Sequence, residues 1–259
     1  MSNTFEENMK SFQVDGFVHI KGVLSSDEVT QYESALEKAL EAQEEKWGDN
    51  AYYNDTGMVH NPMIYDDLFL EFLGNPMMND YLEAALDPHC ILYAFTTSSM
   101  PPSASNFSNR IHVDSPRVIN GFPTNLGFLV ALSDFTEENG ATYYLPNSHE
   151  TSEAPSAEEF FANAKRPLLK AGDGVMFNAR TWHSGGENKT NAYRHALTIN
   201  VCRSFMRQRF DYPRMLGEEM LEKLDERRLK FLGYRVRTPE NLEQYYVPPE
   251  QRLYYPGQG

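Results

Sequence analysis

The chain has 259 residues and no linker-like stretch, a length that β-barrels and sandwiches routinely reach as one domain, so residues 1–259 read as a single domain. Lys and Arg number 23 against 37 Asp and Glu, and a net charge of −14 without any basic run argues against a nucleic-acid partner. Cys90 and Cys202 lack metal-site or disulfide spacing, the N-terminus is polar and acidic, and no apolar run reaches membrane-spanning length; a reduced, soluble, cytoplasmic protein without a membrane partner is expected, either monomer or homodimer.

Residues 1–89 read as mostly helical. A short helix over 5–14 precedes Gly16 and the strand-like Phe17-Val-His-Ile20, in which His19 is expected to be structural. Ser25 and Glu28 form a capping box that opens a helix to about Lys46, with Val29, Tyr32, Leu36, Ala39 and Leu40 on its apolar face. Residues 47–62 lack periodicity and read as a long loop, where Tyr52, Tyr53 and His60 are candidates to face a ligand. Ile64–Leu73 and Met77–Leu86 read as helices broken at Gly74-Asn-Pro76.

From Cys90 the texture changes to short β-like runs, which predicts a mainly β core over 90–205 with flanking helices, an α+β protein. The expected strands are Ile91–Thr97, Ile111–Asp114, Leu126–Ser133 with a hairpin partner at Ala141–Leu145, Val175–Asn178 and Tyr193–Arg203. A second capping box, Ser156 to Glu159, opens a short acidic helix, and His149 reads as a structural turn residue. The last strand alternates: Arg194, Ala196, Thr198 and Asn200 on a cavity face, His195, Leu197, Ile199 and Val201 on a face that packs on helices. Residues 206–259 read as a helix over 211–232 followed by an extended, irregular tail.

Within this frame, His112 and Asp114 stand two apart in a strand-like run, so both side chains point to one face as two ligands of one metal. His183 completes a set of two imidazoles and one carboxylate, which leaves up to three adjacent positions of an octahedral ion open. His112-Val-Asp114 is the only His-x-Asp pair among the seven histidines.

Ile111-His-Val-Asp114, the stretch Asp134 to His149 with its Asn-Gly-Ala-Thr-Tyr-Tyr-Leu-Pro segment, and Gly172-Asp173 through Trp182-His183 to Arg194 follow one another as in the phytanoyl-CoA dioxygenase family, which the chain resembles from about Asp15 to Arg203. The resemblance implies a double-stranded β-helix (jelly roll, cupin-like) core and an iron(II)- and 2-oxoglutarate-dependent oxygenase, with Fe(II) on His112, Asp114 and His183. It further implies O₂ as a substrate, with succinate and CO₂ released as a small-molecule metabolite is hydroxylated. Arg194, eleven after the distal His, stands where the family carries the Arg that holds the far carboxylate of 2-oxoglutarate, and Thr198 lies on the same face. Related halogenases carry Gly or Ala in place of Asp114, so the carboxylate favours oxygenation.

For the substrate, Arg117 is the leading anchor, because it follows the metal ligands by three residues; Asn178, Trp182, Arg203 and Tyr53 are further candidates. A free metabolite of a biosynthetic pathway fits the acidic chain better than a CoA thioester, whose phosphates need a basic patch. Desaturation, epoxidation, ring formation and epimerisation share the same ligands, and a non-catalytic jelly-roll protein binding a metal or small ligand is the alternative of another class.

Overall fold

Each long strand of the core carries apolar side chains at every second position, so the sheet they form has one face for helices and another for a cavity. The computed structural model describes residues 4–48, 56–104 and 107–254. Its strands are β1 (Phe17–Ile20), β2 (Ile91–Met100), β3 (Asn125–Ala131), β4 (Tyr143–Tyr144), β5 (Gly174–Asn178), β6 (His183–Ser184) and β7 (Arg194–Cys202). The helices are α1 (Phe5–Asp15), α2 (Ser26–Trp47), α3 (Leu68–Phe72), α4 (Pro76–Ala85), α5 (Ala157–Asn163), α6 (Tyr212–Leu216), α7 (Met220–Lys223), α8 (Glu226–Phe231) and α9 (Leu242–Tyr245).

Five strands form an antiparallel sheet in the order β1-β5-β3-β7-β2, and β4 pairs with β6 in a second sheet. This is the antiparallel core with flanking helices that the texture of the chain predicts. In the large sheet the register aligns Val18, Met176, Phe128, Ile199 and Phe95 as one apolar row across all five strands. That row belongs to the main hydrophobic cluster, together with Tyr32 and Leu36 of α2, Phe69 and Phe72 of α3 and Leu82 of α4. Phe95 is fully buried, with the rings of Phe72 and Phe69 at 5.7 and 6.1 Å. The neighbouring row, on the other face, reads Phe17, Phe177, Gly127, Asn200 and Ala94. At Gly127 the ring of Phe177 occupies the place a Cβ would take, so the glycine is required by a close approach.

The helix ends follow the chain's own signals. Ser25 and Glu28 cap α2 reciprocally, Ser156 and Glu159 do so for α5, and Thr4 and Glu7 add a third capping box at α1. Asn75 caps α4, with Pro76 at its first position. His19 is structural, as expected: its Nε2 lies 2.9 Å from Asp173 Oδ2, and the same carboxylate accepts the backbone N–H of Gly22 at 3.0 Å.

Several expectations are corrected. Ala141–Leu145 does not pair with β3, whose two edges are already taken by β5 and β7; the segment crosses over and pairs with β6. Ile111–Asp114 is a single bridge rather than a strand. The helix expected at 64–73 is reduced to a 3-10 turn, Pro62–Ile64, and α3. The one expected over 211–232 is three short helices, because Gly217 adopts a φ of 88° and Asp225 starts a new helix as N-cap.

Truncating Phe95 should leave a cavity between the sheet and α3. Phe95→Ala is expected to destabilise the protein by about 3 to 5 kcal/mol, read as a lower urea midpoint at unchanged slope.

Candidate active site

The second sheet is wider than its two strands, because isolated bridges add His112 beside β6 and Lys165 beside β4. His112 and His183 face each other in an antiparallel pair that exchanges both backbone hydrogen bonds, at 3.0 and 2.9 Å. Directly opposed residues present side chains to the same face, so the two imidazoles lie together, ring centroids 4.2 Å apart. Beyond His112 the chain leaves the sheet, and the backbone N–H groups of Asp114 and Ser115 both donate to Ala179 O, at 2.9 and 3.0 Å. This turn brings Asp114 Oδ1 to 3.6 Å from His112 Nε2 and 3.7 Å from His183 Nε2. The three ligand atoms lie within 4.8 Å of one another.

Both imidazoles are oriented by backbone carbonyls. His112 Nδ1 lies 2.7 Å from Arg110 O and His183 Nδ1 lies 2.9 Å from Thr181 O. Donating Nδ1–H to a carbonyl leaves each Nε2 with its lone pair toward Asp114. Burial, and then the neighbouring His183, pulls the pKa of His112 down to about 4, so at neutral pH no proton competes for that nitrogen. Asp114 is held in turn: Asn200 Nδ2 donates to its Oδ2 at 3.4 Å, and Asn125 Nδ2 donates to Asn200 Oδ1 at 3.2 Å.

These groups open on a cavity of about 300 Å³ between the two sheets. Arg194 and Thr198 line it, together with Asn200, Thr96, Tyr144 and Phe177. Arg194 is 1% exposed and lies over the ring of Phe135 at 4.3 Å, with one Nη donating to Gly140 O. Its Nε has no partner, and among the described residues no carboxylate pairs with it. Burial lowers its pKa to about 10, which still leaves it charged at neutral pH. A buried, unpaired guanidinium is costly unless an anion reaches it.

The expected substrate contacts lie elsewhere. Arg117 is exposed and, with Asn178, borders a separate cavity of about 370 Å³ beside α1. The double hydrogen bond to Ala179 turns the chain outward, and Arg180 then holds Ser115 O at 3.2 Å. Asn178 follows the inward Phe177 and so faces away, accepting the Arg180 N–H. Trp182 precedes His183 on the opposite face of its strand, outside the residues that line the metal cavity. Arg203 pairs with Asp87 at 2.9 Å and stacks on Phe122. Tyr52 and Tyr53 lie outside the described residues, whereas His60, from the same loop, borders the metal cavity. His149 sits in a 3-10 turn after Asn147, whose φ is 61°.

Sequence reasoning placed Asn200 on the cavity face of β7 but gave it no role, and it missed Tyr144, which lies within the Thr-Tyr-Tyr-Leu segment. Tyr144 is buried, with its ring stacked at 5.9 Å on His183 and its pKa raised by burial. Arg209, in irregular chain beyond β7, carried no signal.

The family model described as Phytanoyl-CoA dioxygenase (PhyH) matches residues 12–196. The chain is 33% identical over 210 residues to the uncharacterised protein Rv1501 of Mycobacterium tuberculosis, covering 79% of this chain and 77% of that one. It is 26% identical over 271 residues to the dioxygenase FUM3 of Gibberella moniliformis, covering 91% and 84%. Among solved structures, the non-heme monooxygenase ThoJ superposes with a TM-score of 0.64 at 22% identity, over 76% of this chain and 77% of that one, a likeness of fold. The fold and the clustered His, His and Asp define a jelly-roll protein of the non-heme oxygenase class. The chain belongs to the phytanoyl-CoA dioxygenase family of Fe(II)- and 2-oxoglutarate-dependent dioxygenases.

Asn200 orients the one carboxylate of the candidate metal set. Asn200→Ala is expected to weaken Fe(II) binding by roughly 10- to 100-fold, measured by competition with a chromophoric chelator, with the far-UV circular dichroism unchanged.

Proposed function

We propose that the protein hydroxylates a small-molecule metabolite of a biosynthetic pathway, with 2-oxoglutarate as cosubstrate and release of succinate and CO₂. The observation that carries this reading is Arg194: a fully buried cation, without a carboxylate partner among the described residues, that lines the same cavity as the two histidines and Asp114. The residues present fit the cofactor and cosubstrate. His112, Asp114 and His183 supply two neutral imidazoles and one carboxylate that would hold Fe(II) and leave adjacent positions free. The planar fork of Arg194 would bind the far carboxylate of 2-oxoglutarate, with the Thr198 hydroxyl farther along the same strand face.

Bound there, Fe(II) and 2-oxoglutarate supply activation of O₂, with oxidative decarboxylation of the oxo acid matched to insertion of one oxygen atom into a substrate C–H bond. The chain's own contribution is positional. Phe177 and Tyr144 wall His183 with aromatic surface, Leu129 continues that wall, and the hydroxyls of Thr96, Ser98 and Thr142 furnish neutral hydrogen-bonding groups for substrate. Holding the target C–H in one orientation against the metal is what such a wall achieves.

Two substitutions test the reading. His112→Ala or His183→Ala should lose stoichiometric Fe(II) while the fold persists; full iron occupancy in either variant would refute the ligand assignment. Arg194→Leu should weaken 2-oxoglutarate binding by about 2 to 5 kcal/mol with iron affinity little changed. The charge-transfer absorption of the anaerobic Fe(II)–oxoglutarate complex reports this, and an unmoved midpoint would mean that another cation holds the acid.

A further inference from the structure

Among the described residues, two arginines reach the metal cavity, Arg194 at its inner wall and Arg209 among its other lining residues, whereas Asp114 is the only carboxylate that lines it. In a chain with 37 acidic and 23 basic residues, that composition is opposite to the average surface. Arg209 also lines a second, larger groove of about 940 Å³, formed between residues 204–211 and the C-terminal segment, so it stands between the two spaces.

Its position is built. Gln208 is clamped between elements, its Nε2 donating to Leu92 O at 2.7 Å and to Leu232 O at 3.3 Å, while the backbone N–H of Arg209 donates to Tyr93 O at 3.0 Å. Arg207 and Arg209, on either side of the clamped Gln208, are both exposed. Two other arginines of the groove are compensated, Arg214 by Glu240 and Asp211 and Arg237 by Glu218; Arg207 lines the groove as well but not the metal cavity. The guanidinium of Arg209 forms no ion pair among the described residues.

Charge then decides what this residue can hold. With Fe(II) and dianionic 2-oxoglutarate bound, the metal's two positive charges and that of Arg194 balance Asp114 and the cosubstrate. The inner site is neutral, and Arg209 is the surplus cation at its edge. We propose that Arg209 is the substrate anchor, binding the carboxylate or phosphate of an organic anion whose reactive carbon enters the metal cavity and whose remainder lies in the groove. This inference rests on the proposed function and takes the place that the sequence alone assigns to Arg117. A guanidinium at the cavity edge fixes one end of the substrate and so selects which carbon reaches the metal.

The test uses octanoate, octyl phosphate and octanamide as probes, titrated by calorimetry into protein loaded anaerobically with Fe(II) and 2-oxoglutarate, loading being checked by the charge-transfer band. At least one anionic probe should bind roughly tenfold tighter than octanamide, the expected difference for a hydrogen bond to a charged group. Arg209→Gln should abolish that difference and Arg209→Lys should retain part of it. A preference for octanoate over octyl phosphate assigns a carboxylate substrate, and the reverse a phosphate. Equal binding of the three probes, no binding of any, or an anion preference that survives in Arg209→Gln with the band intact overturns this inference alone. Absence of the band in the unsubstituted protein overturns the proposed function, and this inference with it.

Discussion

A guanidinium buried to 1% exposure without a carboxylate beside it is the constraint on which the rest of the site depends. Folding removes Arg194 from water and returns one hydrogen bond to Gly140 O and the face of Phe135, less than a charged fork needs. The remaining need is met only from the cavity, so the fold itself creates demand for an anion at one fixed place. The candidate metal ligands His112 and His183 stand across that cavity on the second sheet, with Asp114 just beyond it. A ligand that satisfies both ends must be short, doubly anionic and able to chelate, which describes a 2-oxo diacid.

The division of the large sheet into two faces makes this arrangement possible. The row from Val18 to Phe95 buries large side chains against α2, α3 and α4, and that packing carries most of the apolar core. Because the stabilising contacts lie on the far side, the near face can hold Thr96, Thr198 and Asn200 at little cost, since they border a space open to water and ligands. A smaller cluster containing Phe17, Phe135, Tyr144, Leu169 and Phe177 closes the space between the sheets. The helices therefore support the fold, and the gap between the sheets is left for chemistry.

Much of this was legible in the sequence, and the reason is periodicity. His112 and Asp114 do converge, but through the turn that Ala179 O holds, whereas the alternation of residues 194–201 survives folding as a local property of extended chain. The capping boxes at Ser25 and Ser156 are local in the same way. What stayed hidden depends on pairing between distant segments. The crossing of Tyr143-Tyr144 to β6 follows from competition for the edges of β3, which no local pattern displays. The outward course of Arg117 is set by Ala179 O, 62 positions from it in sequence, and the placement of Arg209 by a glutamine that bonds to Leu92 and Leu232. Neighbours of metal ligands in the chain are thus poor guides to neighbours of the metal in space.

The glycine at 127 shows how far such control can act. It touches neither the histidines nor Asp114, yet the ring that rests on it, Phe177, lies 4.9 Å from His183 between centroids. Any side chain at 127 would have to displace that ring, which lines the cavity. Position 127 therefore works as a gauge of cavity depth: within this sheet, the size of the residue there sets how much room a reacting carbon has. Changes in substrate size among proteins of this architecture need not begin at the residues that touch substrate; they can begin one strand away, with a single methyl group.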